Sequence, residues 1–199
     1  LANEDSRQAN FTACAAGWHL DFSRHQLDYA SWQSLQSLAA EAGLPQAREA
    51  LFTGEKINHT EDRAVLHTLL RSSRPEPSLQ KEWQAVQDCL RRMEDWVLRV
   101  HSGSHLGYSG ERITDVVNLG IGGSDLGPRM VAQALTPGSD DGLRTHFVAN
   151  VDPAELNNCL ATLDPARTLF IICSKTLRTE ETLYNAQTAR AWLQGSGAS

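Results

Sequence analysis

From Thr114 onward the hydrophobic period of the chain changes, and this change restricts the fold more than any other feature. Three short runs, Asp115 to Leu119, Thr145 to Val151 and Thr168 to Cys173, are rich in Val, Ile, Leu and Phe without clean alternation. Such runs suit strands covered on both faces. Helical segments lie between them, Leu126 to Leu135 and Ala154 to Leu163, and a last helix is predicted from about Thr179 to Leu193. Strand and helix alternating in this way specify a parallel sheet with right-handed crossovers. The expected class is therefore α/β, with a doubly wound parallel sheet. The pattern stops at Gly195 to Ser199, and three parallel strands would leave an edge and apolar faces uncovered. The sheet reads as incomplete and the chain as cut short.

The first hundred residues read as helices. From Asp28 to Ala42, Tyr29, Trp32, Leu35, Leu38 and Ala39 recur at helical spacing until Gly43. Pro45 suits the first turn of a short helix reaching Phe52, and Gly54 terminates it. Thr60 is expected to cap another helix carrying Val65, Leu66, Leu69 and Leu70, with Glu61 and Asp62 in its first turn. Ser72 to Ser78 reads as a loop. A long amphipathic helix follows, striped by Trp83, Val86, Leu90, Met93, Val97 and Val100. It runs into a glycine-containing turn from Ser102 to Gly110. The expected division is a helical region over 1–110 and the sheet region over 111–199.

A chain of 199 residues with 41% hydrophobic and 21% charged residues is ordinary for a globular protein. The formal charge of −6 argues against a broad nucleic-acid footprint, which relies on clustered Lys and Arg. No stretch approaches the roughly 20 apolar residues that span a bilayer. No secretion signal opens the chain, although Leu1 in place of Met points to a start further upstream. The expected location is the cytoplasm. The four cysteines, Cys14, Cys89, Cys159 and Cys173, form no Cys-x-x-Cys pair and are expected as reduced, buried thiols. In that compartment the triplets at Asn10 and Asn58 are chance matches to the glycosylation pattern.

Two turns at strand ends can carry chemistry. Helix starts present free N–H groups and partial positive charge, which suits a phosphate. The first turn is Gly120-Ile121-Gly122-Gly123-Ser124-Asp125, where glycines allow close approach to the backbone and Ser124 or Asp125 can cap the next helix. Asp125 occupies the last glycine position of the dinucleotide pattern, so a nicotinamide or flavin cofactor is disfavoured. The second is Ser174-Lys175-Thr176-Leu177-Arg178-Thr179-Glu180-Glu181, in which hydroxyls, N–H groups and an ammonium gather at a helix start. That combination suits a phosphate monoester without a metal. Neither the glycines nor the metal carboxylate of a P-loop is present. Taken singly, each turn fits a structural turn or cap as well as a ligand site. Adjacent strand ends in a doubly wound sheet share one crevice, so one ligand could touch both.

Other polar residues point less far. Glu181 fits the first turn of its helix, where the dipole favours a carboxylate. His101 and His105 flank a glycine without a paired carboxylate and read as a solvated turn, not a metal site. His59 and His67 read as structural. Trp18, Trp32, Trp83, Trp96 and Trp192 are expected in apolar packing.

The wording of these segments resembles the phosphoglucose isomerase family. The resemblance is carried by Ile113 through Pro128 (Ile-Thr-Asp-Val-Val-Asn-Leu-Gly-Ile-Gly-Gly-Ser-Asp-Leu-Gly-Pro) and by His146-Phe147-Val148-Ala149-Asn150-Val151-Asp152. Ser174-Lys175-Thr176 with Thr179, Glu181 and Thr182 continues it, as does Gly54-Glu55-Lys56-Ile57-Asn58 with Thr60-Glu61 and Arg63 to His67. It implies a sugar isomerase (SIS) fold with a five-stranded parallel sheet, of which three strands are present, and interconversion of glucose 6-phosphate and fructose 6-phosphate. It implies no metal and no organic cofactor, and a homodimeric parent protein. The resemblance assigns phosphate binding to Ser174, Lys175, Thr176, Leu177, Arg178 and Thr179 and sugar contact to Gly123 and Ser124; Asp125 and Glu181 are candidates for a supporting place behind these contacts. Leu177 and Arg178 depart from the family's usual Phe and Thr. The family's glutamate base, its arginine, and its ring-opening histidine and lysine have no match here, so no catalytic residue is expected in this chain. A sugar-phosphate-sensing module of the same fold, without catalysis, is the alternative.

Overall fold

A computed structural model describes residues 6–135 and 142–198. The chain forms two compact units, Leu1–Asp88 and Cys89–Ser199.

The first unit begins with a short helix α1 (Arg7–Asn10) and an antiparallel hairpin of β1 (Thr12–Ala15) and β2 (Trp18–Asp21). Ala16 and Gly17 make its two-residue turn, both at positive φ, 50° and 81°, as the twist of a hairpin favours. This hairpin departs from the helical reading of the first hundred residues. Its strands are almost wholly exposed, so no buried alternation marks them in the sequence. Phe11 anchors it: its ring is fully buried, meets Phe22 edge-on at 5.5 Å, and lies under the Arg7 guanidinium at 4.5 Å.

Helix α2 (Tyr29–Glu41) starts where the Asp28 carboxylate accepts from the Ser31 N–H at 2.7 Å. Helix α3 (Leu44–Thr53) carries Pro45 in its first turn and ends at Gly54 with φ 81°. Both follow the sequence expectation. The helix expected after Thr60 does not form. The Asn58 carboxamide oxygen accepts from the Glu61 N–H and the Thr60 hydroxyl, and Glu61 pairs with Arg63. These local bonds close a turn bridged between Asn58 and Arg63, with Asp62 at φ 46°, and they compete successfully with helical pairing. Only a 3-10 turn, His67–Leu70, follows, with Leu69 buried. Helix α4 (Gln80–Ser102) then begins after a 3-10 turn at Pro77–Leu79, and the Trp83 indole N–H donates to the Ser72 carbonyl at 2.8 Å.

The second unit holds the parallel sheet. Its elements are β3 (Asp115–Leu119), α5 (Leu126–Leu135), β4 (Arg144–Val148), α6 (Pro153–Leu160), β5 (Thr168–Ile172) and α7 (Glu180–Gly195). The strand order is β4-β3-β5, with Asp115 opposite both Arg144 and Thr168, and Leu119 opposite both Val148 and Ile172. The strand expected to reach Val151 stops at Val148. The Ala149 and Asn150 N–H groups leave the ladder and donate to one Glu155 carboxylate oxygen, at 3.0 and 2.7 Å.

Val117, Leu119, Val148, Leu156, Leu160 and Ala189 form the core; Phe170 and Trp192 pack against it and meet each other edge-on at 6.0 Å. Each large aliphatic side chain buried this way contributes about 1.5–3 kcal/mol. Coverage of both faces holds for β3 but not for the outer strands, since Ile171 and Ile172 of β5 are exposed. An apolar groove of about 1330 Å³ runs along the sheet, lined among others by Met93, Trp96, Val97, Val116, Phe147 and Ile171. Met93, Trp96 and Val97 are exposed there, and for Trp96 this departs from the expected apolar packing.

Two more expectations are corrected. Cys14 and Cys89 are exposed, while Cys159 and Cys173 are half-buried; all four are free. Trp18 stands 80% exposed beside the hairpin turn, outside any apolar packing.

Candidate functional site

The site begins with the register of the sheet. Because β3 and β5 are parallel neighbours, the chain leaves both at the same edge, and the Cys173 N–H donates to the Leu119 carbonyl at 2.8 Å. The two turns singled out in the sequence therefore start side by side.

The turn after β3 folds back on its own strand. A Cβ on Gly120 would lie 2.7 Å from the Ser124 carbonyl oxygen and 3.1 Å from Cys173 Cβ, so glycine is required by close approach. Gly122–Ser124 makes a 3-10 turn entered at φ 59° on Gly122. Asn118 reaches up from β3, 7% exposed, and its Nδ2 donates to the Ser124 carbonyl at 3.0 Å. Gly123 is exposed with open space above its Cα, and Ser124 is half-buried. Asp125 is buried, and its two oxygens receive the Arg129 guanidinium at 2.9–3.1 Å. That pairing fixes the first turn of α5 to the end of the loop.

The 174–179 loop follows β5. The Ser174 hydroxyl oxygen accepts from the Leu177 N–H at 3.0 Å, which closes the loop on itself. Leu177 sits at φ 51°, a left-handed conformation that costs a non-glycine residue roughly 1–2 kcal/mol, and its side chain is 59% exposed. Lys175, Thr176 and Arg178 are exposed as well, and Thr179 is half-buried at the start of α7. Thr179 makes no side-chain capping bond. Helix α7 therefore opens with main-chain N–H groups that have no intrahelical acceptor. Glu180 and Glu181 lie in its first turn, where the dipole favours them, and Glu181 is exposed. Of the three hydroxyl residues of this loop, Thr176 is exposed and Ser174 and Thr179 are half-buried.

The third strand end, after β4, lies at the same edge of this sheet, beside β3. The loop after β4 is tied by Glu155 to α6, as described above, and by Asn185 to α7: Asn185 Nδ2, 4% exposed, donates to the Asn150 carbonyl at 2.8 Å. Arg129 lies over the Phe147 ring at 5.4 Å and 3.9 Å from Glu155. Sequence reasoning missed Asn118, Arg129, Glu155 and Asn185. A polar residue inside an otherwise apolar strand, as in Val116-Val117-Asn118-Leu119, is the signal that could have found the first.

At the opposite end of β3 the fully buried Asp115 accepts from Arg144 at 2.7 Å, from His146 Nε2 at 2.8 Å and from the Thr114 hydroxyl at 2.8 Å. Burial pushes this carboxyl up, but the hydrogen bonds and the Arg144 charge outweigh it and hold it below the ordinary range. Burial, with the nearby Asp115 and Glu155 charges, pushes the Cys159 thiol up. Among the described residues no group of three His, Cys, Asp or Glu side chains is placed to hold a metal, and no helix is long and apolar enough to cross a membrane. The apolar groove is lined by neither of the two turns.

The chain is similar to known proteins in both sequence and fold. A model of the family described as phosphoglucose isomerase matches residues 21–199. The chain is 44% identical over 200 residues to a glucose-6-phosphate isomerase of Marinomonas sp., covering 98% of this chain and 36% of that protein. It is 50% identical over 199 residues to a glucose-6-phosphate isomerase of Cupriavidus taiwanensis, covering 96% and 36%. The crystal structure of a glucose-6-phosphate isomerase from Chlamydia trachomatis superposes with a TM-score of 0.78 at 23% identity, over 98% of this chain and 38% of that one, and so shares the fold. The chain spans about 36% of the length of the relatives it matches. With the match running over both turns and all three parallel strands, this chain belongs to the phosphoglucose isomerase family.

Proposed function

We propose that this chain supplies the substrate-gripping part of an aldose-ketose isomerase that interconverts glucose 6-phosphate and fructose 6-phosphate. The 174–179 loop holds the phosphate: Ser174, Thr176 and Thr179 offer hydroxyls, Lys175 and Arg178 offer positive charge, and Leu177 contributes its N–H through the loop backbone. A dianion at the opening of α7 gains from free N–H groups and the helix dipole together. Gly123 and Ser124 meet the sugar, and Asp125 and Glu181 support these two contacts from behind. Residues 111–199 then supply the first three strands of a domain of the sugar isomerase type, and 1–110 form a helical region of the family's larger domain. The reading extends to a cytoplasmic, homodimeric parent enzyme.

The observation that carries this reading is the junction of the two turns. Parallel pairing of β3 with β5, the 2.8 Å bond from Cys173 to Leu119 and the close approach at Gly120 bring the glycine turn beside the phosphate loop. One hexose phosphate can span them. In the family, ring opening and proton transfer between C1 and C2 need a glutamate, an arginine, a histidine and a lysine that have no match among these 199 residues. The chain alone therefore binds without turning over.

Two measurements on the purified chain test this. Equilibrium dialysis should detect bound glucose 6-phosphate, and a coupled assay should detect no fructose 6-phosphate formation. Turnover by the chain alone would refute the division of labour, and absence of binding at millimolar ligand would refute the site.

A further inference from the structure

The three loops at the carboxyl edge of the sheet are joined by one run of polar contacts. Asp125, directly after Ser124, holds Arg129 through both carboxylate oxygens. Arg129 reaches Glu155 at 3.9 Å and the Phe147 carbonyl at 3.5 Å. Glu155 takes the N–H groups of Ala149 and Asn150. The Asn150 carbonyl in turn accepts from Asn185, which lies in α7 six residues beyond its Thr179 cap. The run thus starts at the turn that meets the sugar and ends on the helix whose opening meets the phosphate.

We propose that Arg129, Glu155 and Asn185 are positioning residues: together they form a polar strut that fixes the separation of the glycine turn from the phosphate loop. This rests on the two-turn site described above. A ligand that touches only the loop, such as inorganic phosphate, gains nothing from a fixed separation. A hexose phosphate gains from it, because both contacts are then in place before binding and less ordering is paid for on association. Asn185 is buried and its partner is a main-chain carbonyl, so its loss leaves an acceptor unsatisfied and frees α7 to shift. Arg129 and Glu155 are each about one-third exposed, at 32% and 36%, so their pairing is partly screened and acts through geometry more than charge.

The experiment uses the 199-residue chain and three variants, Arg129→Met, Glu155→Gln and Asn185→Leu. Each is titrated with inorganic phosphate and, separately, with glucose 6-phosphate, following backbone amide shifts. The strut requires phosphate affinity within about twofold of the parent chain and glucose 6-phosphate affinity about 3- to 10-fold weaker, the range expected for loss of one hydrogen bond. Equal weakening of both ligands, or no change in either, overturns it. Asn185→Leu is the variant most exposed to misfolding; amide dispersion reports that, and Arg129→Met, at a partly exposed position, then decides. A parent chain that binds glucose 6-phosphate no better than inorganic phosphate refutes the two-turn site itself, and the strut with it. A parent chain that prefers glucose 6-phosphate, with variants that keep the preference, refutes the strut alone.

Discussion

Asn118 and Ser124 are joined across the end of the central strand: the Asn118 carboxamide donates to the Ser124 carbonyl at 3.0 Å from a position only 7% exposed. This bond sets where the glycine turn lies above the sheet. Asn118→Leu should destabilise the second unit by about 1–3 kcal/mol, because the Ser124 carbonyl loses a partner it cannot replace in a part-buried place. Urea unfolding read through the midpoint checks this. A variant as stable as the parent would mean that the turn holds its position without the bond.

The glycines of this turn should separate cleanly by role. Gly120→Ala places a methyl 2.7 Å from the Ser124 oxygen, and overpacking of this kind costs about 1–3 kcal/mol. Gly123→Ala meets nothing within 4 Å, so the fold should keep its stability while glucose 6-phosphate binding weakens. Thermal unfolding and dialysis on the two variants give the comparison. Equal stability loss in both would refute the assignment of Gly123 to ligand approach.

Much of this was legible before any coordinates. Pro45, Gly54 and Asp28 are strong local signals, and α2 and α3 form where they place them. The run at 115–119 becomes the central strand, its Val117 and Leu119 fully buried in the core. At Thr60 the local signal misleads, since Asn58 offers its side-chain oxygen to the same N–H groups a helix would leave free. The hairpin at 12–21 is exposed on both faces and so has no hydrophobic period to read. In the site, the two turns are written in sequence, but their proximity follows from the order β4-β3-β5. The polar links from Arg129 to Phe147 and Glu155 and from Asn185 to Asn150 join residues 18 to 35 positions apart, and no local pattern encodes them.

Acid should act through Asp115. Its folded-state carboxyl is held below the ordinary 3.8, so the stability it supplies is present above that value and is lost as pH falls through the lower folded one. Asp115→Asn should therefore cost about 1–3 kcal/mol at pH 7 and progressively less in strong acid. Urea midpoints of parent and variant as a function of pH provide the check. A constant gap down to the acid limit would exclude this linkage.

The thiols should react in order of exposure. Cys14 and Cys89 are exposed, whereas Cys159 is half-buried and its thiol is pushed up by burial and by the neighbouring Asp115 and Glu155 charges. Since the thiolate is the reactive form, Cys159 should be alkylated far more slowly than Cys14 or Cys89 at pH 7.5. Peptide mapping after timed iodoacetamide exposure reads the order, and early labelling of Cys159 would contradict it.

The most direct measurement is an amide-resolved NMR titration of the 199-residue chain with glucose 6-phosphate. Shifts concentrated at Ser174, Lys175, Thr176, Leu177, Arg178 and Thr179, accompanied by Gly123 and Ser124, are the expected result. Shifts confined to the apolar groove around Trp96 and Phe147, or reaching only one of the two turns, would contradict a sugar phosphate held between them.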